Sequence, residues 1–379
     1  MTEFPDAAIV VHGGGPTAVL NASLAGIIDA CRASFHVRQI YGARGGVHGL
    51  LRDDWIDLGS LSTEVLAQIR RAPGSVLGST RKPFDHSHLG PAITRCREQG
   101  IGTVYFTGGN GTMKTALLFE QADALQVIGI PKTVDNDLLG THHCPGFGSA
   151  ARFYAHAVRD IGADNRALPS PVTIVEVIGR NAGWVVGATA LARSHPGDAP
   201  HLIYFPECPP SLEQICADVE SVYRNLGRVV VAVCEGLRDP QGNPFGADLD
   251  RPGNLLHELP SNLAHTLARA VSHATGLRVR AEKPGLLGRS CSFAVSEVDA
   301  QESYRCGFDA VQAAERGHSG VMIGLTSTAE TVPVPLETVA GFERLVPRSW
   351  IAPSGNDATP EFLRYAAPLA GSLEAWPVL

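Results

Sequence analysis

The chain has no excess of positive charge, no apolar run of membrane-spanning length, no Cys-x-x-Cys pair and no low-complexity tract. Each absence excludes something. Lys and Arg number 31 against 38 Asp and Glu, a net charge of −7, which argues against a surface built for nucleic acid or an anionic membrane. No stretch approaches the roughly 18 apolar residues that span a bilayer. The opening MTEFPDAAIVVHGGG has neither a basic n-region nor a signal-peptide core, so a cytoplasmic location is expected. The eight cysteines read as reduced, mostly buried thiols, because 379 residues are enough for two cored domains that need no staples. His142-His143-Cys144 invites a metal reading. Adjacent residues rarely point at one ion, however, and no second cluster is spaced to help.

What is there is a repeated grammar. Short apolar runs at 8–11, 103–107, 127–130, 172–177, 202–204 and 228–234 predict strands, and Leu20, Leu24, Ile27, Ile28 and Cys31 recur at helical spacing. Strands apolar on both faces and alternating with helices imply an α/β fold with mainly parallel sheets. Gly-rich turns follow the early strands and charged residues follow the later ones, which is expected of two α/β lobes facing one cleft. The boundary is expected near Gly146-Phe147-Gly148.

Polar clusters sit where such sheets bind ligands, at the carboxyl ends of strands. Gly13-Gly14-Gly15 and Gly108-Gly109-Asn110-Gly111 suit phosphate, since bare backbone N–H groups at a helix start favour an anion. Neither turn is a Walker A loop or GxGxxG, and no GxSxG elbow exists. Pro131-Lys132-Thr133-Val134-Asp135-Asn136-Asp137 combines a cation, a hydroxyl and two carboxylates. Asp135 and Asp137 are two apart, so in an extended segment they face one side; one can take a proton from an alcohol while the other holds Mg²⁺ through water. The plain alternative is a polar turn whose aspartates cap backbone N–H groups. His12 reads as a half-buried hydrogen-bonding residue, Arg70-Arg71 as a solvated helix end, and Trp184 and Phe205 as packing residues.

The blocks VHGGGPTAVLN (11–21), LGSTRKPF (77–84), TGGNGTMKTA (107–116), GIPKTVDND (129–137), VEVIGRNAGW (175–184), IYFPE (203–207) and CEG (234–236) occur in the order seen in phosphofructokinases, and the chain resembles that family. The tail LLGRSCSFAVSEVDAQESYRCGFDAV (286–311) resembles the branch that includes the pyrophosphate-dependent enzymes. The resemblance implies two Rossmann-like lobes: residues 1–146 with about 290–330 for the phosphoryl donor, and 147–289 with about 331–379 for the acceptor. It implies Asp135 as base, with Thr133, Lys132 and Arg81 also catalytic. Gly14, Gly15, Arg81, Gly108, Gly109, Asn110, Gly111 and Thr112 would line the donor site. Thr133, Asp135, Asp137, Gly179, Arg180, Glu235, Arg280 and Arg289 would surround the acceptor, and Asp137 with Asn110 would hold Mg²⁺. A homodimer or homotetramer is implied as well.

Three departures from the family pattern bear on function. Asn110 replaces the usual metal-side Asp. Gly111 leaves room for a nucleotide where pyrophosphate users tend to have Asp, and Lys132, which those users tend to have, does not exclude one, since members with this Gly and Lys combination include ATP users; ATP is therefore favoured over pyrophosphate as donor. The acceptor's phosphate clamp is thin: Pro171 stands where many relatives have Arg, and Gly285-Leu286-Leu287-Gly288-Arg289 lacks a His. The acceptor is therefore expected to be a sugar phosphate held differently, or a neutral sugar, polyol or cyclitol. A non-catalytic metabolite-binding homologue is the competing class.

Overall fold

The computed structural model describes residues 6–168, 171–245 and 262–377. Residues 1–5, part of the opening read above as free of a leader, lie outside them. Two compact units emerge, Met1–Phe147 with Ser290–Arg344 and Gly148–Arg289 with Leu345–Leu379. The strands, in chain order, are β1 (Ala7–His12), β2 (Gln39–Ala43), β3 (Trp55–Asp57), β4 (Ile101–Gly108), β5 (Gln126–Pro131), β6 (Val172–Val177), β7 (Leu202–Tyr204), β8 (Val229–Cys234), β9 (Val279–Glu282), β10 (Val321–Leu325) and β11 (Thr331–Pro335). Seven helices matter here: α1 (Leu20–Ala33), α2 (Asn110–Gln121), α3 (Phe147–Ala167), α4 (Leu212–Leu226), α5 (Leu263–Thr275), α6 (Glu297–Glu315) and α7 (Pro360–Ala370).

The first unit holds a seven-stranded sheet in the order β11-β10-β5-β4-β1-β2-β3. Its five inner strands pair in parallel, and only the edge strands β3 and β11 run antiparallel. Every residue of β1, β4 and β5 is buried, as their unbroken apolar runs require of a sheet covered on both faces. Val10, Tyr105 and Ile128 face α1 and α6; Ile9, Val104 and Val127 face Met113 and Phe119 of α2.

The late segment returns to this unit because α6 packs hard on α1. A Cβ on Gly26 would lie 2.0 Å from the Tyr304 carbonyl oxygen, and one on Gly307 would lie 2.0 Å from that of Ser23. Two reciprocal glycines thus let the backbones touch, and Ser23 Oγ meets Ser303 Oγ at 2.8 Å between them. The return reaches Arg344 rather than ending near residue 330, since β11 pairs along β10 and Leu336 and Val339 fill the core against α2.

The second unit holds a four-stranded sheet, β7-β8-β6-β9, parallel throughout. Its core joins Val172, Ile174, Val229, Val231 and Val233 to Ile215 and Val219 of α4 and Leu263, Leu267 and Val271 of α5. Trp184 and Phe205 are packing residues: both are fully buried, and Trp184 stacks on Phe362 of α7 at 6.1 Å. That contact gives the proline-containing C-terminal segment a role, the closing of this core. Among the described residues no helix is long and apolar enough to cross a membrane, and none of the eight cysteines is paired.

Candidate functional site

The order of the first sheet locates its site. From β1 the chain runs to one edge through β2 and β3, then to the other through β4, β5 and β10. The reversal falls between β1 and β4, the place in an open α/β sheet where a crevice forms outside the carboxyl ends. Both glycine turns lie there. Gly13 N–H donates to the Thr107 carbonyl at 2.9 Å, tying the β1 turn to the end of β4. Thr112 sits between the turns: a Cβ on either Gly13 or Gly108 would fall 2.1 Å from its Oγ1. Thr112 is therefore buried packing that sets how closely the two turns approach. Gly14, at φ +76°, donates its N–H to the Thr80 carbonyl and accepts from Ser79 Oγ, which brings the Arg81 segment alongside. Arg81 itself is exposed.

The third strand end completes the group. Lys132 N–H donates to the Gly108 carbonyl at 3.0 Å, and Gly109 lies against Thr133 and the Lys132 carbonyl. Lys132, expected among the catalytic cations, is instead only 2% exposed, and its ammonium donates to the carbonyls of Gly13 and Gly15 at 2.9 and 2.6 Å. It is the internal tie of the β1 turn. Burial of His12, whose Nδ1 meets Ser75 Oγ, and then the Lys132 charge push that imidazole down to about 3 and keep it neutral. His12 is a structural residue.

Beyond Lys132 the segment alternates. Thr133, Asp135 and Asp137 are half-exposed, and Val134, Asn136 and Leu138 are buried between them. The segment is not extended as the spacing argument assumed: Asn136 between the aspartates is left-handed at φ +55°, a conformation Asn tolerates, with its Oδ1 accepting from Cys144 N–H, and the two carboxylates are near enough for the charge of Asp135 to act on Asp137. Thr133 Oγ1 accepts from Asp135 N–H at 3.1 Å, which fixes the hydroxyl beside the carboxylate. Burial, then the charge of Asp135, pushes Asp137 up to about 7, and its Oδ1 has no hydrogen-bond partner.

That orphaned oxygen on a charge-strained carboxylate fits a divalent cation. Asn110 does not: its amide is taken by the backbone, Nδ2 donating to the Phe342 carbonyl and Oδ1 accepting from Gly341 N–H. Among the described residues no group of three or more His, Cys, Asp or Glu is placed to hold a metal. A Mg²⁺ here would depend on Asp137, donor phosphates and water, the usual habit of that ion. His143 Nε2 meets buried Glu302 at 2.7 Å, and its Nδ1 lies 3.0 Å from His142 Nδ1.

In the second unit the strand ends carry the expected groups. Glu235 Oε1 accepts from Gly179 N–H at 3.3 Å, and Gly236 abuts the Arg180 carbonyl so closely that any side chain there would collide. Burial raises the Glu235 carboxyl above its ordinary range, against the Gly179 hydrogen bond and the charge of Lys283. Arg180 is exposed. Arg280 departs from expectation: it pairs in register with Thr173, the second residue of β6, and its guanidinium lies 3.9 Å from Asp164 on α3, away from the carboxyl edge. Another cation past the strand ends is Lys283, just after β9, whose ammonium meets the buried Glu176 carboxylate at 2.6 Å. Arg289 closes the unit's first segment, beside Gly288 packed on the Tyr154 ring. Lys283 escaped the sequence reading because Val279–Glu282 alternates apolar and charged residues and shows no buried-strand run.

Comparison with known proteins agrees with this geometry. The Phosphofructokinase family model matches residues 7–314. A pyrophosphate--fructose 6-phosphate 1-phosphotransferase of Rhodospirillum rubrum is 38% identical, covering 97% of this chain and 95% of its own. A sulfofructose kinase of Alkalicoccus urumqiensis is 35% identical over 90% of each. The crystal structure of a pyrophosphate-dependent phosphofructokinase from Nitrosospira multiformis superimposes at TM-score 0.88 and 31% identity, covering 99% of this chain and 94% of that one. With glycine turns at the switch point and a hydroxyl–carboxylate pair beside them, the chain belongs to the phosphofructokinase family and is a phosphotransferase acting on a hydroxyl.

Proposed function

We propose that the chain moves a phosphoryl group from pyrophosphate to the hydroxyl of a phosphosugar, fructose 6-phosphate being the first acceptor to test. The observation that carries the chemistry is the Thr133–Asp135 pair on a strand end tied directly to both glycine turns. Asp135 takes the acceptor's proton as the oxygen attacks, and Thr133 Oγ donates to the phosphoryl group in flight. The N–H groups of Gly15, Gly109 and Gly111, with Arg81 as a forked cation, neutralise the donor, while Gly14, its N–H held by the Thr80 carbonyl, shapes the turn. Mg²⁺, held by Asp137 and the donor, supplies further neutralising charge. Glu235, its carboxylate positioned by Gly179 N–H, orients acceptor hydroxyls, and Arg180, Arg289 and Lys283 supply positive charge for an acceptor phosphate.

The donor reading reverses the ATP preference drawn from Gly111. The space there is real, since a Cβ would meet nothing within 4 Å. Open space permits a nucleotide without requiring one. The relatives weigh the other way: the Rhodospirillum rubrum and Nitrosospira multiformis proteins are both pyrophosphate users by name. The test is a matrix of initial rates, pyrophosphate and ATP against fructose 6-phosphate, 6-deoxy-6-sulfofructose and neutral sugars. The reading expects turnover with pyrophosphate and fructose 6-phosphate at the highest kcat/KM. A higher value with ATP overturns the donor, and a higher value with another acceptor overturns the acceptor.

A further inference from the structure

Asn110 stands where the resembled family pattern has an aspartate, and the structure gives that change a reason. It is the first residue of α2, next to the Gly109 N-cap. Its side chain reaches a segment 231 and 232 residues away, accepting from Gly341 N–H at 2.6 Å and donating to the Phe342 carbonyl at 2.5 Å. One N–H and one C=O are met by one carboxamide. An aspartate can satisfy the first but sets a second oxygen against the Phe342 carbonyl.

The far end of the same strap is fixed too. Arg344 N–H donates to the Asp137 carbonyl at 2.7 Å, and Arg344 Nη1 donates to the carbonyls of Thr141 and His142. Between these anchors Gly341, at φ +95°, passes against Lys114, one helical turn along α2 from Asn110. Residues 341–344 therefore bind the start of α2, whose amides face the donor, to the loop that carries Asp135 and Asp137.

We infer that Asn110 is a positioning residue, the clasp of this strap, and that it holds the donor turn in register with the Asp135–Asp137 loop. The inference rests on the phosphotransferase reading but not on which donor is used. Phosphoryl transfer is catalysed mainly by placement, where an error of about 1 Å costs about a hundredfold. The sharpest test compares Asn110→Ala with Asn110→Asp. Hydrogen exchange of the 340–345 peptide, measured without substrate, is expected to quicken about tenfold or more in both, with β1 and β4 peptides unchanged. The kcat is expected to fall about tenfold or more in both, the aspartate variant doing no better than the alanine variant, and the Mg²⁺ concentration for half-maximal rate not to drop. Asn110→Ser replaces the alanine variant if that one does not fold. An Asn110→Asp enzyme at wild-type rate with a lower Mg²⁺ requirement makes position 110 a metal ligand and overturns the inference. So does unchanged exchange in Asn110→Ala, or faster exchange with unchanged kcat. Because exchange is read without donor or acceptor, failure of the pyrophosphate reading leaves that arm intact.

Discussion

Thr112 wedged between two glycine turns gives a prediction with opposite outcomes at two neighbouring sites. Neither Gly13 nor Gly108 has a positive φ, so alanine is strained by space alone. At Gly13 a Cβ would meet Thr112 Oγ1 at 2.1 Å, but Cβ and Cγ2 only at 3.1 Å. At Gly108 it would meet Oγ1 at 2.1 Å and Thr112 Cβ at 2.4 Å. Each single Gly→Ala change overpacks the junction, at about 1–3 kcal/mol. Thr112→Ala alone removes a buried methyl and hydroxyl for about 1 kcal/mol. It also deletes Oγ1 and Cγ2, so the Gly13→Ala clash falls to a contact that a shift of a few tenths of an ångström relieves. The Gly108→Ala clash remains, because the 2.4 Å neighbour is Cβ itself. The double-mutant cycle should show a favourable coupling of about 1–2 kcal/mol for Gly13→Ala with Thr112→Ala, and little or none for Gly108→Ala with Thr112→Ala. Urea midpoints read the stability, and donor KM reads whether the turns have moved. Equal rescue at both sites, or none at Gly13, refutes the placement of Thr112.

Further outcomes follow from the same geometry. Lys132→Met leaves the Gly13 and Gly15 carbonyls without their buried donor, so donor KM should rise about tenfold or more while acceptor KM holds; a rise in acceptor KM alone would contradict the loop-tie role. Lys283→Met, made with Glu176→Gln so that no buried charge is stranded, should raise fructose 6-phosphate KM about tenfold and leave pyrophosphate KM alone, and unchanged acceptor KM would remove Lys283 from the acceptor's surroundings. His201, held near pKa 4 by burial, and His12, near 3, are neutral when folded, whereas free imidazole titrates at 6.5. Between pH 6.5 and 5 the unfolded chain takes up protons that the folded one refuses, so stability falls with pH, by about 2 kcal/mol per histidine at pH 5. His201→Gln should remove about 2 kcal/mol of the stability lost between pH 7 and pH 5; an unchanged loss would place the imidazole elsewhere.

Much of this molecule was legible in its sequence, and the illegible parts have causes. The six strands read from apolar runs all exist, because a parallel sheet covered on both faces favours apolar residues along most of each strand, with buried Thr103, Gln126 and Glu176 among the exceptions. Five strands escaped: the edge strands β3 and β11, the charged β9 and the mixed β2, which carry no unbroken apolar run, and β10, although its VMIGL run is fully buried. That Asp135 and Asp137 lie near one another was legible from their spacing, but the left-handed Asn136 between them was not. The buried state of Lys132 was not, because lysine is ordinarily exposed and its two carbonyl acceptors lie in another strand's turn. Nor was the partner of Asn110, more than 200 residues away: nothing local marks Gly341 and Phe342. Arg280 was expected beside the acceptor by resemblance, but the register of β9 sets it opposite Thr173, and the lysine that meets the buried Glu176 carboxylate is Lys283.

The central claim is that Asp135 takes the proton of an acceptor hydroxyl as a phosphoryl group arrives from pyrophosphate. Phosphorus NMR of the wild-type protein and of Asp135→Asn, each with pyrophosphate, fructose 6-phosphate and Mg²⁺, tests it most directly. The account predicts that wild type converts pyrophosphate one for one into a sugar bisphosphate and orthophosphate, and that Asp135→Asn, folded to the same thermal midpoint, is slower by about 10²–10⁴. Transfer by Asp135→Asn at near wild-type rate, or wild-type release of orthophosphate with no phosphorylated sugar, would contradict it.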